Sequence, residues 1–190
     1  MIMNMIEKKI DGEVIYDGKI IRVERDRVLC PNGRNSYREV VRHNGGAAIL
    51  CITKDDRVLL ERQFRYPYNE VIYEIPAGKL EKGEDPYQAA LREFEEETGI
   101  KISNKLRRLQ YCGSFNPNPA YFNNLMHVFL YKDTDLISMF LNRGTQHLDK
   151  DEDCKVFIKR LKEAVYEVSK GGMGRAILST VQDIVDLTWK

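Results

Sequence analysis

The sequence predicts an α/β (α+β) fold, a sandwich built on a mixed sheet with a small β-region at the N-terminus. Three observations predict it. Strand-type runs and helical patterns are interspersed without the regular β-α alternation of a doubly wound sheet. A length of 190 residues with 43% hydrophobic content suits a domain with a sizeable core. One helix, over residues 86–98, is specified at both ends and carries an unusual cluster of carboxylates.

Residues 12–45 read as short strands with turns: Glu13–Tyr16, Ile20–Arg27, a turn at Pro31-Asn32-Gly33, then Tyr37–Arg42. Residues 1–45 are therefore expected to form the N-terminal β-region, and 46–190 the main domain. Ala47–Thr53 is a continuous apolar run of buried-strand type, turned by Asp55-Asp56 into the alternating strand Arg57–Gln63. Val71–Ile75 is a shorter strand ending at Pro76, and Ala77-Gly78 with Lys82-Gly83-Glu84 is expected as a loop. The helix follows. Asp85 suits its N-cap, Pro86 the first helical position and Gln88 the capping-box acceptor, while Gly99 suits a left-handed stop. Strands at Leu106–Phe115, Leu125–Tyr131 and Val156–Lys159 come next, then helices near 161–169 and 175–188. No internal repeat or low-complexity linker interrupts them.

Tyr87, Ala90, Leu91, Phe94 and Thr98 form the stripe by which the helix docks. Beside it, at about 100° per residue, Glu93, Glu96 and Glu97 fall on one face. Like charges at i, i+3 and i+4 cost a helix a few tenths of a kcal/mol per pair, so stability alone does not favour them. Three converging carboxylates suit a hard divalent cation. The small residues Ala77 and Gly78 would let backbone carbonyls approach the same ion.

A formal net charge of +1 gives no bulk electrostatic reason to expect nucleic-acid or membrane binding. Cys30, Cys51, Cys112 and Cys154 contain no C-x-x-C pair and read as free thiols of a reducing compartment. Met1–Ile10 lacks the hydrophobic region of a signal peptide, and no apolar run reaches a membrane span. A cytoplasmic protein is expected. His43, His127 and His147 show no metal-ligand spacing, and no serine or cysteine nucleophile motif is present, so the chemistry must rest on carboxylates and metal.

Gly78, Glu84, Arg92-Glu93-Phe94, Glu96-Glu97 and Gly99-Ile100 stand at the spacing of the complete Nudix box, with Phe94 where a bulky aliphatic residue is more usual. The chain thus resembles the Nudix hydrolases. Gln63-Phe64-Arg65, Glu74-Ile75-Pro76-Ala77-Gly78 and the stretch up to Gly45-Gly46 resemble its ADP-ribose pyrophosphatase branch, although hydrolases of GDP-mannose and other nucleotide sugars share most of these.

The resemblance implies a Nudix-type α/β/α sandwich. It also implies Mg2+ (or Mn2+) held by Glu93, Glu96, Glu97 and the Ala77 carbonyl, and hydrolysis of ADP-ribose or a related nucleoside diphosphate sugar. Glu96 and Glu97, with Glu152, are the candidate catalytic carboxylates. Glu152 precedes a late strand where the family carries a further glutamate, and Asp151 or Asp153 could substitute for it. An acidic loop of this kind is otherwise simply solvated. Arg92 is expected to orient the glutamates by ion pairing, Glu84 to support the loop or an outer metal shell, and Gly78 to give room.

Arg65 is expected at the diphosphate. Arg38 and Glu39 occupy the stretch that in this branch reaches across a homodimer toward the nucleotide. Pro119-Ala120 and Asn123-Asn124 depart from the branch's Pro-Gly and following acidic residue, which loosens the expected sugar selectivity. Tyr121 and Phe122 could stack on a base or seal the core. A Nudix hydrolase of another nucleotide class, such as dinucleoside polyphosphates, and a non-catalytic nucleotide sensor are the alternatives.

Overall fold

The computed structural model describes residues 5–53, 55–102, 109–132, 135–148, 150 and 153–164. The chain divides into two compact units, Met1–Gly45 with Phe115–Leu125, and Gly46–Ser114 with Met126–Lys190.

In the first unit β1 (Lys8–Asp17), β2 (Arg22–Leu29) and β3 (Asn35–Arg42) form an antiparallel sheet in that order. The expected turn joins β2 to β3: Gly33 has φ 79°, Cys30 N–H donates to Arg34 O at 2.8 Å, and Arg34 N–H to the Asn32 side chain at 3.0 Å. Cross-strand ion pairs lie on both faces, Lys9 meeting Asp26 at 2.6 Å on one and Arg25 and Arg27 pairing on the other. Arg27 meets Asp11, and Arg25 reaches Glu39 at 3.4 Å. Register shifts at Lys9/Asp11 and Val14/Tyr16 make β1 irregular, and all ten of its residues are exposed. The segment Phe115–Leu125 belongs here because it pairs with the end of β3. Val41 N–H donates to Tyr121 O, Asn123 N–H to Val41 O, and the Asn123 side chain accepts from His43 N–H at 3.0 Å.

In the second unit β4 (Gly46–Ile52), β5 (Arg57–Arg65), β6 (Glu70–Glu74), β7 (Ala77–Lys79), β8 (Leu109–Phe115), β9 (Met126–Lys132) and β10 (Cys154–Arg160) form one mixed sheet. Its main path runs β10-β5-β4-β9-β8, with β6 on β5 and β7 on β4; β4 and β9 are parallel. Every residue of β4 is buried. Its alternate side chains therefore feed two cores, as period-2 geometry requires. Ala47, Ile49 and Cys51 pack with Ala89, Ala90 and Phe94 of α1 (Pro86–Thr98), and with Leu136 of α2 (Leu136–Leu141). Ala48, Leu50 and Ile52 pack on the other face with Leu161 and Ala164, the start of a helix described over 161–164. Helices thus lie on both faces of the sheet.

The helix limits match those expected from Asp85, Pro86 and Gly99. Asp85 accepts from Tyr87 N–H and Gln88 N–H, and Gly99 is left-handed at φ 69°. Two elements differ. Ala77–Lys79, expected as loop, is a strand paired with Gly46–Ala48. The helix α2 was not foreseen, since six residues are too few for a periodic signal. The rest of the expected helices near 161–169 and 175–188 lies outside the described residues.

Candidate active site

Glu93, Glu96 and Glu97 share one face of α1 but not one environment. Glu97 is buried at 4% exposure, and its Oε2 accepts from Ala77 N–H at 2.9 Å. Ala77 lies opposite Ala48, while the next pair along is bonded, Ile49 N–H to Pro76 O at 3.0 Å. Bonded and non-bonded pairs alternate in an antiparallel ladder. The Ala77 N–H and C=O therefore both face away from β4, toward the edge where the Glu97 carboxylate lies. Gly78 comes next, and a Cβ there would overlap the Glu93 carboxyl. Only glycine lets that carboxylate lie against β7.

Arg92 answers the repulsion expected along this face. Its Nη1 donates to Glu93 at 2.9 Å and to Glu96 at 3.0 Å. Its Nε and Nη2 hold both oxygens of Glu84 at 3.0 and 2.9 Å, and Nη2 also reaches Lys79 O at 3.1 Å. A planar fork with five donors is suited to such a hub. Hydrogen bonding to Glu84 raises the Arg92 pKa well above its usual value, with Glu93 adding to the effect. Conversely, the Arg92 hydrogen bond holds Glu84 below the ordinary carboxylate range. Glu84 also closes the preceding turn, accepting from Glu81 N–H at 2.8 Å.

Among the described residues no three His, Cys, Asp or Glu side chains already stand as a metal cage. The donor set nevertheless fits a hard divalent cation. It is all oxygen, and two of its carboxylates already converge on a single cationic nitrogen.

The other expected residues are spread more widely. Arg65, at the end of β5, donates from Nε to Glu74 Oε2 at 2.7 Å, and the Glu74 side chain is almost buried. Arg38 and Glu39 lie on β3 of the first unit. Arg38 is engaged by Glu7 (2.9 Å from Nε), Ser36 and the Tyr37 carbonyl, and Glu39 by Arg25. Glu152 and Asp151 lie outside the described residues; Asp153 is exposed. Sequence reasoning missed Glu74 as the partner of Arg65. The hairpin register puts the two on one face but sets Arg65 opposite Glu70, with Glu74 four positions farther along.

A mixed sheet flanked by helices, with a glycine-opened, arginine-braced glutamate helix against its β4–β7 edge, defines a class. Residues 42–162 match the NUDIX domain model, and the chain belongs to that family, whose members generally use divalent metal ions. The chain is 39% identical over 159 residues to the ADP-ribose pyrophosphatase of Bacillus subtilis (strain 168), covering 84% of this chain and 81% of that protein. It is 36% identical over 164 residues to the methanol dehydrogenase activator of Bacillus methanolicus, covering 86% and 84% respectively. The fold also matches the crystal structure of an ADP compounds hydrolase with TM-score 0.71 over 95% of this chain and 94% of that one; at 19% identity this speaks for the fold alone. Among the described residues no helix is long and apolar enough to cross a membrane.

Proposed function

We propose that this chain is a Mg2+-dependent diphosphatase that cleaves ADP-ribose or a related nucleoside diphosphate sugar into a nucleoside monophosphate and a sugar phosphate. The observation that carries this reading is Glu97 on the Ala77 N–H and Glu93 against Gly78, with Glu96 drawn toward Glu93 by Arg92. The family and the Bacillus subtilis relative support the reaction class.

Glu93, Glu96, Glu97 and the Ala77 carbonyl would hold Mg2+, or Mn2+ in its place. Bound there, the ion would neutralise diphosphate charge and stabilise the charge that builds up as water attacks phosphorus. Arg92 keeps the glutamates aligned from behind and, with its nitrogens already engaged, is not a substrate ligand. Arg65 uses Nε on Glu74, which orients its terminal nitrogens as a fork for a phosphate. Glu152 is assigned the proton of the attacking water, with Asp151 and Asp153 as substitutes. Arg38 would contact the nucleotide of a neighbouring subunit only by exchanging Glu7 for it. The homodimer this requires is supported by the N-terminal sheet. Val28 is its one buried hydrophobic residue among those described, whereas Val14, Ile15, Tyr16 and Ile20 are exposed. A cytoplasmic location is part of this reading, supported by four cysteines whose spacing contains no C-x-x-C pair.

Asn123 is a neutral amide whose Oδ1 already accepts from His43 N–H, and it offers no anionic acceptor for sugar hydroxyls. Selectivity for the sugar should therefore be loose. Measuring kcat/KM for ADP-ribose, ADP-glucose, GDP-mannose and UDP-glucose with Mg2+ tests both points. ADP-ribose should be hydrolysed, with at least one other sugar nucleotide cleaved comparably. No activity on any of them would overturn the function, and a preference for ADP-ribose above about 1,000-fold, roughly 4 kcal/mol of transition-state discrimination, would overturn the loose selectivity.

A further inference from the structure

The last carbonyl oxygens of an α-helix find no partner within it. In α1 these belong to the very residues that carry the carboxylates. Glu95 O takes the Gly99 N–H, and the segment 144–147 supplies partners to Glu96 and Glu97 and to the capping Gly99. Gly144 N–H donates to Gly99 O and His147 N–H to Glu96 O, each at 2.8 Å. The Gln146 side-chain amide donates to Glu97 O. Gln146 Nε2 also lies 3.5 Å from the carbonyl of Cys154, the first residue of β10, at the limit of hydrogen bonding. The approach is close enough that a Cβ at Gly99 would overlap Gly144 O. Gly99 is therefore needed both for its left-handed backbone and for the passage of this strap.

Glu97 is consequently held at both ends. Its carboxylate takes the Ala77 N–H on one side, and its carbonyl takes Gln146 on the other. Two of the three strap contacts are made by backbone N–H groups that no side-chain substitution removes. Gln146 provides the third and can be changed on its own.

We propose that Gln146 is a positioning residue for the glutamate cluster. By holding the Glu97 carbonyl it fixes the rotation of the last turn of α1, so that Glu93, Glu96 and Glu97 gather around a divalent cation. This rests on the metal-dependent reading given above. A side chain that aligns ligands without touching the ion acts on metal affinity and turnover more than on substrate binding.

The test compares the full-length wild type with Gln146→Ala and Gln146→Met. The second keeps the length of the side chain and removes its amide. Mn2+ binding without substrate is followed by electron paramagnetic resonance, alongside kcat and KM for ADP-ribose and the metal-free Tm. Both variants should bind Mn2+ about tenfold more weakly and lose about tenfold in kcat, with KM nearly unchanged. A purely structural role would lower Tm and leave the Mn2+ affinity of the folded protein at the wild-type value, and that result overturns the proposal. So does wild-type behaviour of Gln146→Met, which also carries the test should Gln146→Ala not fold. A wild type that binds no divalent cation would overturn the metal reading itself and this proposal with it.

Discussion

The two units of the chain are held together by different physics. In the second, β4 is buried along its whole length and feeds a packed core on each face of the sheet. In the first, Val28 is the one buried hydrophobic side chain among the described residues. Order there comes from backbone ladders and from ion pairs such as Arg25–Glu39, with 44% and 71% side-chain exposure. Exposed ion pairs of that kind contribute little. The comparison teaches that a polar cluster can be kept in strict geometry only where a dense core supports it. The charged side chains on α1 are arranged by a helix that Ala89, Ala90 and Phe94 lock into the core beside them. The exposed charges on the first sheet have no such backing.

The largest effects should therefore come from charges on α1. Glu93→Gln and Glu97→Gln should each lower kcat at least a hundredfold, about 2.7 kcal/mol in the barrier, while circular dichroism shows the fold intact. Near-normal turnover in either would break the metal assignment. Gly78→Ala should match them, because its Cβ would occupy the place of the Glu93 carboxyl; a crystal structure of that variant should show Glu93 displaced from β7.

A middle-sized effect belongs to the first unit. Light scattering should give a homodimer at micromolar concentration, and Val14→Lys combined with Tyr16→Lys should shift it to monomer. A wild-type monomer would show that the exposed apolar side chains of β1 need no partner.

Smaller still is a pH effect. Arg92 holds Glu84 below the usual carboxylate value. A depressed folded-state pKa gives stability that is fully present above the unfolded value near 4.5 and is lost as pH falls through the lower folded value. Glu84→Gln should consequently flatten the acid side of the Tm–pH curve below about pH 5. An unchanged acid limb would show that Arg92 does not favour ionised Glu84. Smallest of all, Arg25→Ala should move Tm by less than about 2 °C; a larger drop, read by calorimetry, would mean that the first sheet depends on its ion pairs after all.

Much of this architecture is legible in the sequence wherever the signal is local. Asp85, Pro86 and Gly99 mark α1 to the residue, since capping chemistry acts within a few positions. The seven apolar or small residues of β4 announce a strand buried on both faces. Ala77–Lys79 is hidden, because three residues with a glycine at the centre carry no period and become a strand only through the ladder offered by β4. The site divides in the same way. The partners of Arg92 sit at i−8, i+1 and i+4, within reach of motif reasoning. Gln146 and Glu97 are 49 positions apart, and Arg38 and Glu7 31 apart. Those contacts exist only once the chain has folded, and a solitary glutamine or arginine carries no mark of its eventual neighbour.

The two register shifts in β1 have a consequence for how copies of the chain can meet. An outer strand with regular, unpaired N–H and C=O groups is a template on which another strand can grow. β1 is the outer strand of its sheet, yet the shifts at Lys9/Asp11 and Val14/Tyr16 break the even spacing that such growth requires. Lys8, Asp11, Glu13 and Asp17 add charge along the same stretch. A neighbouring molecule thus finds at β1 no regular edge on which to extend the sheet. Contact at that strand is left to its side chains, which carry no ladder from one copy to the next.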